Sequence, residues 1–231
     1  MAMTAEEWGI VMLSLQVSLA AIAGALPLAF GLAWVLARLR FPGKILLDGL
    51  VHLPLVLPPV VIGWLLLIAF APEGPGGRLL AVFGVSVLFR WTGAAIAAAV
   101  MALPLMVRAI RLSLEAVDPR LEQAARTLGA GRWRTFATIT LPLAAPGVLA
   151  GAVLGFARSL GEFGATITFV SNIPEETRTL PLAIYAALQL PGGESAVWRL
   201  ALMAVALSLA ALVASEALSR ASGSGRGGHV L

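Results

Sequence analysis

Long apolar runs separated by short polar punctuation organise this chain. They cover about 9–37, 45–71, 91–112, 141–160 and 197–218. A helix needs about 20 apolar residues to cross a hydrocarbon core, so the pattern predicts an all-α, polytopic membrane bundle of about five spans. The first run ends in Arg38, Arg40 and Lys44, the second in the loop sequence PEGPGG at 72–77, and the third in Arg108 and Arg111. Ahead of the first run, Thr4 and Glu7 have capping-box spacing and Trp8 suits a membrane interface; residues 1–8 read as an external tail. Residues 219–231, rich in Gly, Ser and Arg, read as a disordered tail. Between 157 and 196 the pattern weakens. ARSLGEFGATITFV reads as a helix end facing protein or water, and LPLAIYAALQL (180–190), too short to span, reads as a short helix at the outer surface.

Charge orients this frame. Five spans put Arg38, Arg40, Lys44, Arg108, Arg111, Arg120, Arg126, Arg132, Arg134, Arg220 and Arg226 on one side, against Arg78, Arg90, Arg178 and Arg199 on the other. The richer side is cytoplasmic, which places the N-terminus outside and the C-terminus inside; Arg158 is assigned to neither side, and a six-span division of 157–196 would instead put the C-terminus outside. Composition agrees with a lipid-solvated chain. Charged residues make up 12% of the 231 and hydrophobic ones 59%, where a water-soluble domain carries about 25% charged. The excess of basic over acidic side chains, 16 to 12, fits this topology better than nucleic-acid binding.

Most catalytic chemistry lacks its residues here. Cysteine is absent and there are two histidines, His52 and His229, which leaves little for zinc, haem or a Ser-His pair. No G-x-S-x-G occurs. Lys44, the only lysine, sits in FPGKIL without the spacing of a P-loop, so ATP chemistry would need another chain. No cofactor is expected on this one; ATP and Mg would sit on a partner. A secondary transporter would show internal repeats or mid-membrane acidic sites; no convincing repeat is visible, and the acidic residues cluster at span ends.

The polar centre of the chain, LEQAARTLGAGRWRTFATITLP (121–142), carries the sharpest signal. Asp118 is a good N-cap and Pro119 suits the first helical position. Leu121, Ala124, Ala125 and Leu128 recur at helical spacing, and Gly129 suits a left-handed stop. A helix this short is marginal alone in water and must pack on something. One reading is an amphipathic loop on anionic lipid. The other follows from E-x-A-A-x-x-x-G with I-x-L-P ten residues beyond the glycine: Glu122, Ala124, Ala125, Gly129, Ile139, Leu141 and Pro142. This resembles the EAA signature of permease subunits of binding-protein-dependent ABC importers. The resemblance implies a type I ABC importer permease fold, with 118–138 as a coupling loop whose helix docks on a cytoplasmic ATPase, and Trp133 beside it. It also implies a permease homodimer, two ATPase subunits, a soluble external oxyanion-binding protein and a bacterial inner-membrane location.

Further stretches, EEWGIVMLSLQVS, FPGKILLDGLVHLPLVLPPVVIGWLLL and RSLGEFGATITFVSNIPEETRTLPLAIY, look like molybdate permeases, with tungstate and sulfate/thiosulfate permeases as near relatives. Substrate-path candidates are Pro58, Pro59, Arg158, Ser159, Glu162, Thr166, Thr168 and Ser171. Arg158 and Glu162 are one turn apart near the outer end of the fourth span; charges at such depth face a polar path or neutralise each other inside protein. The hydroxyls could line a route for a tetrahedral dianion or serve as packing contacts. Pro58-Pro59 would shape the path wall. Asp48 and His52, also one turn apart, read as an interfacial pair.

Overall fold

A computed structural model describes residues 3–223 of the chain. Regular structure among these residues is entirely helical: α1 (Ala5–Arg38), α2 (Lys44–Val56), α3 (Pro59–Phe70), α4 (Pro75–Ala81), α5 (Trp91–Glu115), α6 (Pro119–Thr127), α7 (Arg132–Thr135), a π-helical turn (Phe136–Thr140), α8 (Leu141–Leu160), α9 (Gly164–Val170), α10 (Leu180–Leu188) and α11 (Glu194–Gly223). Four stretches are long and apolar enough to cross a membrane: Ala5–Arg38, Trp91–Glu115, Arg132–Leu160 and Glu194–Ala214. The pair α2 and α3 makes a fifth only if taken together.

The 45–71 run of the sequence pattern is divided in two at Pro58-Pro59. Its halves are bent by 114°. Proline disfavours the α region for the residue before it, so Pro58 and Pro59 push Leu57 and Pro58 into extended conformations, with ψ of 144° and 135°. Two other boundaries also move. The Thr4–Glu7 capping box forms in full and starts α1 at Ala5, inside the stretch assigned to a tail. At the other end α11 runs to Gly223, so 219–223 are helical and only 224–231 of the expected disordered tail lie outside the described residues. PEGPGG is half loop, since Pro75 opens α4.

The core is built on α1 and α5. In one half, Val17 and Ala21 of α1 meet Ala94, Ala97, Ala98 and Met101 of α5. In the other, Ala25, Ala29, Ala33 and Leu36 meet Ala102, Met106, Val107, Ile110 and Leu114, joined by Ala144 of α8. Alanine-lined faces let helix backbones approach closely, the packing mode of lipid-solvated bundles. The fourth span ends earlier than its length suggests. A Cβ on Gly155 of α8 would meet Ile22 and Met106 at 2.8 Å, and Ile22 stands about halfway along α1. The chain then turns at Gly161 and continues as α9, which packs on α3 and α5. Arg158 and Glu162 therefore lie in the middle of the bundle, not near its outer end. Likewise α10 does not lie across an outer surface: Leu180 and Ala183 are buried with Ile10 and Val11 of α1 and Leu200 of α11, and the Leu180 amide donates to Ser14 Oγ at 2.7 Å.

Candidate functional site

At the basic end of the bundle the 118–140 segment stands out from the helices. Asp118 caps α6 by accepting from the Arg120 amide, with Pro119 at the first position. The helix stops in a Schellman turn: Gly129 takes φ +86°, its amide donates to Arg126, and the Ala130 amide donates to Ala125. A residue with a Cβ is strained in that conformation, which accounts for glycine here.

The chain leaves most of α6 uncovered, its apolar side included. Its apolar stripe, Leu121, Ala124 and Leu128, points away from the chain, with Leu128 89% exposed; Glu122 and Ala125 turn toward it. Trp133 of α7 is 83% exposed. Among the other motif positions, Gly129, Leu141 and Pro142 are exposed and Ile139 is half-buried. Apolar side chains this exposed on a short helix outside the spans call for a covering surface.

Glu122 does not face that surface. Its Oε1 accepts from an Arg38 terminal nitrogen at 2.9 Å and from the Thr140 hydroxyl at 2.7 Å, tying α6 to the end of α1 and the start of α8. Around this joint Trp34 meets Phe136 edge to face, with centroids 5.2 Å apart, and Trp133 meets Phe136 at 6.2 Å. The Arg38 guanidinium lies 5.8 Å from the Trp34 ring. Sequence reasoning missed Arg38, Trp34, Phe136 and Thr140. Arg38 read as one more inside-positive charge, and nothing local pairs it with a residue 84 positions away.

The path candidates group around the α8–α9–α3 junction, mostly in structural roles. Glu162 is buried; its Oε2 takes an Arg158 nitrogen at 2.7 Å and its Oε1 accepts from the Ala165 amide at 2.8 Å, which fastens the first turn of α9. Pro59 packs on Gly164, where a Cβ would meet it at 2.7 Å; a Cβ on Gly63 would come within 2.5 Å of the Ala165 carbonyl. The Thr168 hydroxyl donates to the Gly164 carbonyl. Ser159 and Thr166 are buried, and Ser159 Oγ has no partner. Ser171, at φ +65°, closes α9, and its carbonyl accepts from Thr177. Pro58 is exposed at the bend. An apolar groove of about 370 Å³ nearby is lined by Leu160, Phe163, Ile184, Tyr185 and Leu207 and takes none of the polar candidates. Asp48 and His52 meet as expected, at 3.3 Å, and Arg111 completes the cluster at 3.1 Å from Asp48.

Comparison with known proteins fits this arrangement. Residues 25–222 match the family described as binding-protein-dependent transport system inner membrane component. The chain is 60% identical over 223 residues to the molybdenum transport system permease protein ModB of Escherichia coli K12, covering 96% of this chain and 97% of that one. It is 45% identical over 162 residues to the sulfate transport system permease protein CysT of the same strain, covering 69% of this chain and 58% of that one. In structure it resembles a bacterial alginate ABC transporter, solved in complex with an alginate pentasaccharide-bound periplasmic protein. The TM-score is 0.74 at 17% identity, over 94% of this chain and 79% of that one. The chain is a multi-pass inner-membrane permease subunit of the binding-protein-dependent ABC importers.

Proposed function

We propose that this chain forms the translocation path of an ATP-driven molybdate importer, as a homodimer bound to two cytoplasmic ATPase subunits and served by an external oxyanion-binding protein. The N-terminus is outside and α6 is cytoplasmic, in keeping with the crowding of basic residues at the α6 end. The observation that carries the coupling role is the outward apolar stripe of α6 beside exposed Trp133. A docking helix needs such a face; a loop resting on its own chain would bury it. Hydrolysis belongs to the partner, which holds ATP and Mg.

The mechanism is mechanical. Closure of the ATPase dimer draws the two α6 helices together, and the spans open outward to accept the anion from the binding protein. Molybdate is favoured over sulfate by a 60% identical match to ModB over 96% of this chain, against a shorter and weaker match to CysT. Selectivity rests mainly on the binding protein, since a conduit must release what it carries.

The test is uptake of labelled molybdate at low external anion, in cells with and without the gene, with excess sulfate as competitor. Gene-dependent uptake that resists sulfate is the expected result. Uptake abolished by sulfate reassigns the substrate to sulfate, and uptake independent of the gene contradicts the molybdate reading.

A further inference from the structure

We infer that Arg38 is the positioning residue through which movement of α6 reaches the membrane-spanning helices, with α1 as the rod that carries it. The inference rests on the ATP-driven reading above and concerns what happens after docking.

The backbone alone does not couple α6 to the bundle well. On one side it is joined through the short 116–118 link to α5, on the other through a left-handed turn at Gly129 and an extended Gly131. A helix hung between such joints can pivot without moving its neighbours. The Glu122 carboxylate removes that freedom. One oxygen is held from two sides, by Arg38 from α1 and by Thr140 from the π-helical turn that opens α8. Both pairs are largely shielded from water, with the Arg38 and Glu122 side chains 20% and 15% exposed. Hydrogen bonds to a shielded charge are stronger than neutral ones.

The aromatic contacts reinforce the same joint. Phe136, in the π-helical turn, sits between Trp133 beside α6 and the Trp34–Phe30 pair on α1. Turns of this kind are rare and frequently fall at functional sites. Arginine suits position 38 better than lysine would, because its plane can lie near the Trp34 ring while its terminal nitrogen reaches Glu122. The buried Arg38 Nε has no partner, so one donor is free to take up a second arrangement as the joint shifts.

From Arg38 the route runs along α1, which stays helical through Pro27. α1 is one helix of 34 residues, and it is fastened again at its far end. Glu7 is held by the Arg199 fork at 2.8 and 2.9 Å, and Ser14 Oγ holds the first amide of α10. A helix fastened at both ends, with a polar joint at one of them, can carry coupling between those ends through packed contacts.

The experiment uses the complete importer in liposomes, with this chain, its ATPase and its binding protein. Two quantities are read for each variant: ATPase retained on the purified permease, and labelled molybdate delivered per ATP hydrolysed. Arg38→Gln is expected to retain ATPase within about twofold while molybdate per ATP falls by about tenfold, the loss of one charge-assisted bond. Arg38→Lys, which keeps the ion pair, is expected to recover at least about half of the ratio. Thr140→Val, which removes the second donor with little change in volume, lowers the ratio less than Arg38→Gln and serves alone if that variant does not accumulate. Wild-type ratios in Arg38→Gln, or in Thr140→Val where it stands alone, overturn the inference. Loss of ATPase from Arg38→Gln also overturns it, by placing Arg38 in the docking surface. A wild-type chain that retains no ATPase contradicts the proposed function itself, before any variant is compared, and the inference falls with it.

Discussion

Two carboxylates in this bundle each receive an arginine and one further donor, yet they have different tasks. Glu162 is paired with Arg158 four residues earlier and with the amide of Ala165 three residues later. All its partners are local, so it locks one corner of the chain where α8 turns into α9. Glu122 receives Arg38 from 84 positions away and Thr140 from 18. Its partners lie on separate helices, so it joins elements that could otherwise move apart. The chemistry is nearly the same. Sequence distance between the partners separates a lock from a joint.

Substitutions can break this comparison. The largest effect is expected where the locked corner packs on α3. Gly63→Leu drives a side chain into the Ala165 backbone and Thr168, and overpacking of this kind costs roughly 1–3 kcal/mol or more. A clear fall in the detergent melting temperature checks it; an unchanged melt would show that α3 and α9 are not tightly apposed. Glu162→Ala comes next. It leaves the Ala165 amide without an acceptor and the partly exposed Arg158 without its counter-ion, which costs about 1–2 kcal/mol, and ATPase retention should persist in the folded fraction. If Glu162→Ala instead melts normally but loses uptake, the pair belongs to the anion path and the lock reading fails. Ser159→Ala should have the smallest effect. Its hydroxyl is buried without a partner, so its removal should change the melt by no more than about 0.5 kcal/mol and leave uptake unchanged. A selective loss of uptake there would return Ser159 to the path.

The spans and the exposed helix were legible in the chain for different reasons. Long apolar runs announce a membrane helix because solvation by lipid demands about 20 consecutive residues. The α6 boundaries could be read because Asp118, Pro119 and Gly129 act locally, through a side-chain cap, a fixed φ and a left-handed turn. The bend at Pro58 was visible as two prolines, but its 114° angle depends on what α3 packs against. The depth of Arg158 was missed because the apolar run gives no sign that α8 stops against the middle of α1. The inward turn of Glu122 was hidden for a similar reason. On a helix with an apolar stripe one expects the charged face outward, and the partners that draw Glu122 inward, Arg38 and Thr140, lie far from it in sequence.

The length of α1 has a consequence for the lipid around the protein. At about 1.5 Å per residue a 34-residue helix is about 50 Å long, against a hydrocarbon core of about 30 Å. A tilt of about 20° shortens its reach by only a few ångströms, so both ends of the helix extend past the acyl chains. The polar contacts at Glu7 and Arg38 then stand in the headgroup zones whether the bilayer is a few ångströms thicker or thinner. A shorter helix would drag one of them into oil as membrane thickness changed; this one leaves its anchoring to protein contacts and its fit to the bilayer to spare length.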